Sequence, residues 1–348
     1  MFSLRGASFD ARCEEIDGMN AAKRLWEQFT GENLSLHDAV AKNDMAALEK
    51  ILRSEQDVDE IDERGWTALH LAASRGMTTQ AITLLEHGAD VNALGPVSHT
   101  PLHICALHGT TETAIALMER GADIEAKQTD SRTPLHLCSI RKTTETAEAL
   151  MERGAKLNAI DRFQSTPLHY CADRGTADIA VKLMERGADI EAKNSVAQTA
   201  LHVAAQKGHS AVLRALLKKG ARVDAQDQVG DSALHTAVKN KQFDAVSEIL
   251  SSAPEMAVHL KNYTGQTALH CAAVCDAESI ARLLSEAGAQ LDIEDNVSRC
   301  FWFPYPLPGL CYEEWEDSFG LHRLTTINNA YYALRIKGNI CFSTKGAR

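Results

Sequence analysis

Aromatic residues are scarce in this chain, at 5% of its 348 residues. A core built on large ring side chains is therefore not expected. General disorder is not indicated either, because the hydrophobic fraction is 45%, which is ordinary for a globular chain. Basic residues are outnumbered by acidic ones, 36 to 47, and the net charge is −11. General nucleic-acid binding is disfavoured, because it needs a basic surface that neutralises phosphates.

Long apolar runs are also missing. No run of ~18 uncharged apolar residues occurs, so we expect no helix that inserts into a membrane. The segment Met1–Asp17 lacks the continuous apolar stretch of a secretory signal, and its several acidic residues are unlike a transit peptide. The nine cysteines are odd in number, and a chain of this length needs no disulfide framework. These absences predict a cytoplasmic protein, with the nucleus as the second compartment.

One tetrad, Thr-Ala/Pro-Leu-His or Ser-Ala-Leu-His, recurs along the chain. The copies begin at Thr67, Thr100, Thr133, Thr166, Thr199, Ser232 and Thr267, at a constant spacing that widens by two positions only before the last. A degenerate copy, residues 34–37, lies one period before Thr67, and residues 117–127 recur letter for letter at 183–193. A period of about 33 residues is typical of a protein built from stacked repeats.

Each unit predicts two helices and a loop. Thr or Ser is a good cap for the first helix, Pro fits its first position, and His falls at its third. Glycines such as Gly76 and Gly88 are expected to end the first and second helices in left-handed turns. In three units the first of these glycines is replaced by Lys142, Lys241 or Asp276.

The period and the motifs resemble the ankyrin repeat, as in TPLHLCS from Thr133 and RGADIEAK from Arg120. The resemblance covers residues 34–299: seven full repeats after a partial one. It implies an all-α ankyrin-repeat solenoid made of helix-turn-helix-loop units of about 33 residues. Residues 250–263 are expected to stack least regularly, because the loop there is two residues longer and contains Pro254.

The two ends lie outside the repeat. Residues 1–33 are expected to form a capping segment with one short helix, because terminal repeats need caps. The periodicity stops at residue 300, and residues 300–348 form an irregular tail with three prolines and ten of the 19 aromatics. Three interpretations stay open for this tail: a folded cap, a poorly ordered divergent end from an alternative transcript or gene model, and a dedicated binding segment.

Histidine closes every tetrad, and the repetition predicts a structural role. Each imidazole is expected to hydrogen-bond between a loop and a helix N-terminus. Stacked helices lie ~8–10 Å apart, which is too far for two such side chains to share one metal ion. These structural histidines are His70, His103, His136, His169, His202, His235 and His270. The recurring Cys105, Cys138 and Cys171 are expected to be small core residues rather than disulfide partners, because ~8–10 Å exceeds disulfide reach.

Motifs of common enzymes are absent. The sequence has no G-x-G-x-x-G, P-loop, G-x-S-x-G or H-E-x-x-H pattern. Caps and repeats take up roughly 300 residues, which leaves no length for a catalytic domain. We therefore expect no enzyme, no catalytic or metal-binding residues and no cofactor; an enzyme within the tail 300–348 is a poor alternative.

The resemblance implies that partners bind the loop tips and the exposed ends of the first helices. Eight positions after the tetrad start, most units carry a cation or a histidine, and the loops add further arginines. Arginine forks suit carboxylates and phosphates, which predicts a groove for an acidic or phosphorylated segment. The alternative is that these cations are ordinary solvated residues near helix C-termini. The candidate partner-binding residues are Arg64, Trp66, Arg75, His99, Leu107, His108, Arg132, Ile140, Arg141, Arg162, Phe163, Arg174 and Lys207.

The sequence thus predicts a non-catalytic protein–protein interaction module, a scaffold or adaptor that binds its partner on a concave loop and first-helix face. We expect it to be a monomer. The alternative is the targeting or inhibitory arm of a larger regulatory protein whose effector domain is not in this chain.

Overall fold

The computed structural model describes residues 34–54 and 57–290. The expected capping segment 1–33, the end of the predicted repeat region at 291–299 and the tail 300–348 lie outside this part. Within it, regular structure is helical apart from one antiparallel bridge between Ile61 and Thr67. This is the all-α class that the sequence predicts. None of the described helices is long and apolar enough to cross a membrane.

The chain divides into two compact units, Met1–Ile124 and Glu125–Arg348. In the first unit, the helices are α1 (Leu36–Ala41), α2 (Met45–Leu52), α3 (Ala68–Arg75), α4 (Thr78–Glu86), a 3₁₀ turn (Pro96–Ser98), α5 (Pro101–His108) and α6 (Thr111–Glu119). In the second unit, they are α7 (Pro134–Arg141), α8 (Thr144–Glu152), α9 (Pro167–Arg174), α10 (Ala177–Glu185), α11 (Ala200–Lys207), α12 (Ser210–Lys218), α13 (Ala233–Lys239), α14 (Phe243–Ser252), α15 (Pro254–Val258), α16 (Ala268–Val274) and α17 (Glu278–Glu286). Each tetrad thus opens the first helix of a pair.

The predicted helix starts are confirmed. Thr67 has extended backbone, and its hydroxyl accepts a hydrogen bond from the His70 N–H that would otherwise lack a partner. In turn, Nδ1 of the His70 ring accepts a hydrogen bond from the Thr67 N–H at 3.3 Å. This is a capping box in which histidine takes the place that Glu or Gln usually holds.

The turn between paired helices is left-handed, with or without glycine. Gly76 has φ = 70° and Gly175 has φ = 71°. Lys142, Lys241 and Asp276 keep the same conformation, at φ = 67°, 55° and 50°. A side chain in this region costs roughly 1–2 kcal/mol relative to ordinary helical backbone. Stacking of the flanking helices therefore imposes the turn on residues that do not favour it.

Leucine and alanine fill the core, which explains why so few aromatics are needed. The second residue after each cap is a leucine that is almost fully buried in six repeats. These leucines are Leu69, Leu102, Leu135, Leu168, Leu201 and Leu234. Each is worth about 1.5–3 kcal/mol relative to an exposed side chain.

The expected irregularity at residues 250–263 is confirmed. Where other repeats run directly into an extended loop, this segment forms the additional helix α15. Ala257 and Val258 of α15 are buried, so the inserted helix packs on the core instead of extending into solvent.

Candidate functional site

The tetrad histidines connect consecutive repeats. In all seven, the ring Nδ1 lies 2.8–3.0 Å from the hydroxyl of the capping Thr or Ser. In five of them, Nε2 lies 2.9–3.1 Å from the carbonyl oxygen that precedes the next tetrad. These five are His70, His136, His169, His202 and His235.

This geometry selects the neutral imidazole. A carbonyl oxygen can only accept, so Nε2 must carry the proton, and Nδ1 must accept because the backbone N–H of the capping residue points at it. Burial lowers the pKa of His136 to about 4, against its ordinary value of 6.5. Burial also lowers the pKa values of His169, His202 and His235. Among the described residues, no cluster of three His, Cys, Asp or Glu side chains could hold a metal ion.

The loop before five of the seven tetrads folds back as a finger around one Asp or Asn, whereas Gly95 and Gln128 take this position in the other two. The Asp161 carboxylate accepts from the N–H groups of Phe163 and Ser165 at 2.8 and 2.9 Å. Asn194, Asp227 and Asn262 do the same in the next three fingers. A short polar side chain thereby fixes each turn, as in other Asx turns.

Backbone hydrogen bonds join the finger tips of the second unit. The carbonyl of Phe163 accepts from Ser195 at 2.9 Å, that of Val196 from Gln228 at 3.2 Å, and that of Val229 from Tyr263 at 3.3 Å. Four consecutive tips are therefore held side by side by the main chain.

These joined tips present apolar side chains to solvent. Phe163, Val196, Val229 and Tyr263 are 45, 36, 49 and 65% exposed; we call these four residues the tip row. Phe163 is a candidate from the sequence, whereas Val196 and Val229 are not. Val196 and Val229 could have been found from their position, two residues after the Asp or Asn of their fingers. This shared position shows that they lie on one edge.

The two candidate arginines of the finger loops before Thr133 and Thr166 lie in ion pairs. Arg132 Nε is 3.0 Å from the Tyr170 hydroxyl and 3.6 Å from the Asp161 carboxylate. Arg162 pairs with Asp130 at 2.9 Å, and its guanidinium lies 4.8 Å from the centre of the Phe163 ring. These contacts stabilise the fingers that contain Asp130 and Asp161.

The Tyr170 hydroxyl belongs to the same network. It donates to Asp161 at 2.5 Å. Burial, together with the adjacent carboxylate, raises the pKa of Tyr170 to about 12. Tyr170 is therefore a fixed neutral donor at the base of the finger.

Three first helices of the second unit end in exposed cations. Arg141, Arg174 and Lys207 close α7, α9 and α11, and all three are exposed; we call them the helix-end cations. The Asp173 carboxylate lies 3.2 Å from both Arg174 and Lys207. Ile140, beside Arg141, is half-buried.

The candidates of the first unit have mixed environments. Arg64 and His108 are exposed, and Leu107 is half-buried. Arg75 is exposed and donates to the Ala41 carbonyl at 2.6 Å. Trp66 and His99 are half-buried beside the capping histidines: the Trp66 ring lies 6.2 Å from His70 and the His99 ring lies 5.8 Å from His103.

The second helices carry paired charges that sequence reasoning missed. Arg186 lies 3.7 Å from Glu152, Lys219 lies 3.6 Å from Glu185, and Arg214 forms a two-bond pair with Glu248 at 2.7 and 3.0 Å. Each pair joins neighbouring repeats. The signal is an acid and a cation separated by one repeat period plus one position, with the acid first in two pairs and the cation first in the third.

Comparison with known proteins agrees with this architecture. The family model described as ankyrin repeats (3 copies) matches residues 36–128, 126–194 and 201–295. The chain is similar to the crystal structure of the ankyrin repeat domain of Bcl-3, described as a unique member of the IkappaB protein family, with 25% identity and a TM-score of 0.56. That match covers 62% of this chain and 96% of the Bcl-3 chain. No curated protein matches significantly. Because the repeat model matches more than half of the sequence, the chain belongs to the ankyrin-repeat family.

Proposed function

We propose that this protein is a non-catalytic scaffold or adaptor that binds another protein through the tip row and the helix-end cations of its second unit. In the ankyrin family these parts, the loops and first helices, form the concave face. Interaction with proteins is the general role of such repeats. The exposed apolar side chains of the tip row are the observation that supports partner binding at this face.

A single exposed apolar side chain would need no explanation. The tip row differs because its members occupy consecutive fingers whose backbones are hydrogen-bonded to one another. Contiguous apolar surface is typical of interaction sites. Because the fingers are held before binding, a partner that docks there loses little free energy to ordering of this surface. Tyr263 also offers a hydroxyl, which suits the polar and apolar character of binding hot spots.

The finer features of the function belong to the same proposal. The helix-end cations favour a partner segment that is acidic or phosphorylated. The net charge of −11 supports the absence of general nucleic-acid binding. We further propose that the protein acts as a monomer in the cytoplasm or nucleus.

The test is affinity capture from the source cells with immobilised full-length protein. The variant Val196→Ser/Val229→Ser removes the centre of the tip row. The control is Met256→Ser, because this apolar residue of α15 is 57% exposed and lies outside both the row and the first helices. We expect the first variant to lose the proteins that the wild type and the control retain. Identical capture by all three, with unchanged melting temperatures, would refute the proposed face.

A further inference from the structure

The helix-end cations repeat with the period of the stack. Arg141, Arg174 and Lys207 occupy the same position in three consecutive units, eight positions after the cap. Packed helices lie ~8–10 Å apart, so consecutive charges are expected at about that spacing. All three side chains are exposed, within a chain whose net charge is −11. Three exposed cations thus recur at one position of the repeat, although the chain as a whole is acidic.

A carboxylate of the chain itself lies between two of these cations. One oxygen of Asp173 is 3.2 Å from Nε of Arg174, and the other is 3.2 Å from Nζ of Lys207. The carboxylate thus bridges two neighbouring repeats. The equivalent residue is Ile140 in the preceding unit and Gln206 in the following one, so the acid occurs at one place only among these three. The bridge demonstrates that both cations can converge on a single anionic group.

Other cations of this face are held by acids that shape the fingers. Arg132 lies against Asp161, and Arg162 against Asp130. Lys239 of α13 pairs with the buried Asp231, which Asn262 of the next finger also contacts at 2.9 Å. To reach Arg132 or Lys239, an incoming anion would have to displace Asp161 or Asp231, whose side chains are buried. At the helix ends it need only replace one half-buried aspartate.

We propose that Arg141, Arg174 and Lys207 bind the carboxylates of an extended acidic segment of the partner, and that Asp173 is an internal competitor for the same cations. The inference deepens the proposed function and rests on it. In the extended polyproline II conformation a chain has three residues per turn and advances ~3.1 Å per residue, so every third side chain lies on the same face, ~9 Å from the last. Acidic residues at every third position of the segment therefore match the spacing of the cations.

Fluorescence anisotropy with the full chain tests the spacing. The probe is a labelled peptide with the sequence Glu-Gly-Ser-Glu-Gly-Ser-Glu, and the control peptide has the same composition with its three Glu residues adjacent. We expect the spaced peptide to bind about fivefold more tightly than the control, which corresponds to one well-placed ion pair. Equal binding of the two peptides, or no binding of either, would overturn the inference.

Variants test the competition. Asp173→Asn is expected to tighten binding of the spaced peptide about threefold, whereas Arg174→Met and Lys207→Met weaken it. The control Asp178→Asn removes the same charge from an exposed site on α10 and is expected to leave affinity unchanged. Equal effects of Asp173→Asn and Asp178→Asn would mean that only the net charge matters, which contradicts competition. If the peptides fail while tip-row capture persists, this inference falls and the proposed function stands.

Discussion

Acidification is predicted to destabilise the stack through its buried histidines, and His136 allows the effect to be calculated. Its pKa is about 4 in the folded chain and 6.5 when it is unperturbed. Between these values the unfolded chain binds a proton at this position that the folded chain does not. The unfolded state therefore gains stability as the pH falls, and the free energy of unfolding decreases. At pH 5 the loss from this one group is about 2 kcal/mol, approaching about 3 kcal/mol below pH 4.

The geometry explains why the proton is excluded. Protonation would place a hydrogen on Nδ1, which faces the N–H of Thr133 at 3.1 Å and could no longer accept from it. Burial adds the cost of desolvating the charge. The pKa values of His169, His202 and His235 are lowered by the same cause, so their contributions have the same sign.

Urea denaturation followed by circular dichroism measures the effect at pH 7.5 and pH 5. The variant His136→Gln keeps a neutral donor and acceptor but cannot titrate. It is expected to be about 1–3 kcal/mol less stable than the wild type at pH 7.5, because its hydrogen bonds are less well placed. At pH 5 that difference should shrink by about 2 kcal/mol. A His136 ring resonance that titrates near 6.5 in the folded protein, or a stability difference between the two chains that does not change with pH, would contradict a depressed pKa of His136.

Three further predictions concern the backbone and the fingers. Lys142→Gly is expected to raise the free energy of unfolding by about 0.5–1 kcal/mol, because glycine accepts φ = 67° without strain. The control Lys207→Gly lies in helical backbone and should lower the free energy of unfolding. A destabilised Lys142→Gly variant would contradict strain at residue 142. Asp161→Ala should cost about 2–4 kcal/mol, because Arg132 and two N–H groups lose their acceptor. In Asp161→Asn, absorbance titration should show the Tyr170 pKa falling from about 12 towards 10, whereas an unchanged pKa would exclude a contribution from that carboxylate.

Local interactions made the repeat predictable. The cap at Thr67, the histidine three residues later and the glycine at position 76 act within a short stretch of chain, so their types and spacing are enough to predict where a helix starts and ends. The constant period also predicts that the units stack, because a single unit cannot bury its leucines alone. Even the departure near Pro254 is visible as two additional residues, although only the structure shows that this segment contains the helix α15.

Contacts between repeats were not predictable in the same way. The sequence indicates that Arg132, Arg162 and Lys207 share a face, but whether each is paired depends on which acid the neighbouring unit brings within ~4 Å. Likewise, Val196 becomes part of an exposed row only because Phe163 and Val229 are hydrogen-bonded beside it. The family, the helices and the capping histidines follow from the order of the residues alone, because they depend on neighbours within a few residues. Which cations stay exposed and which apolar tips join follows from the fold, because residues a full repeat period apart meet only through stacking.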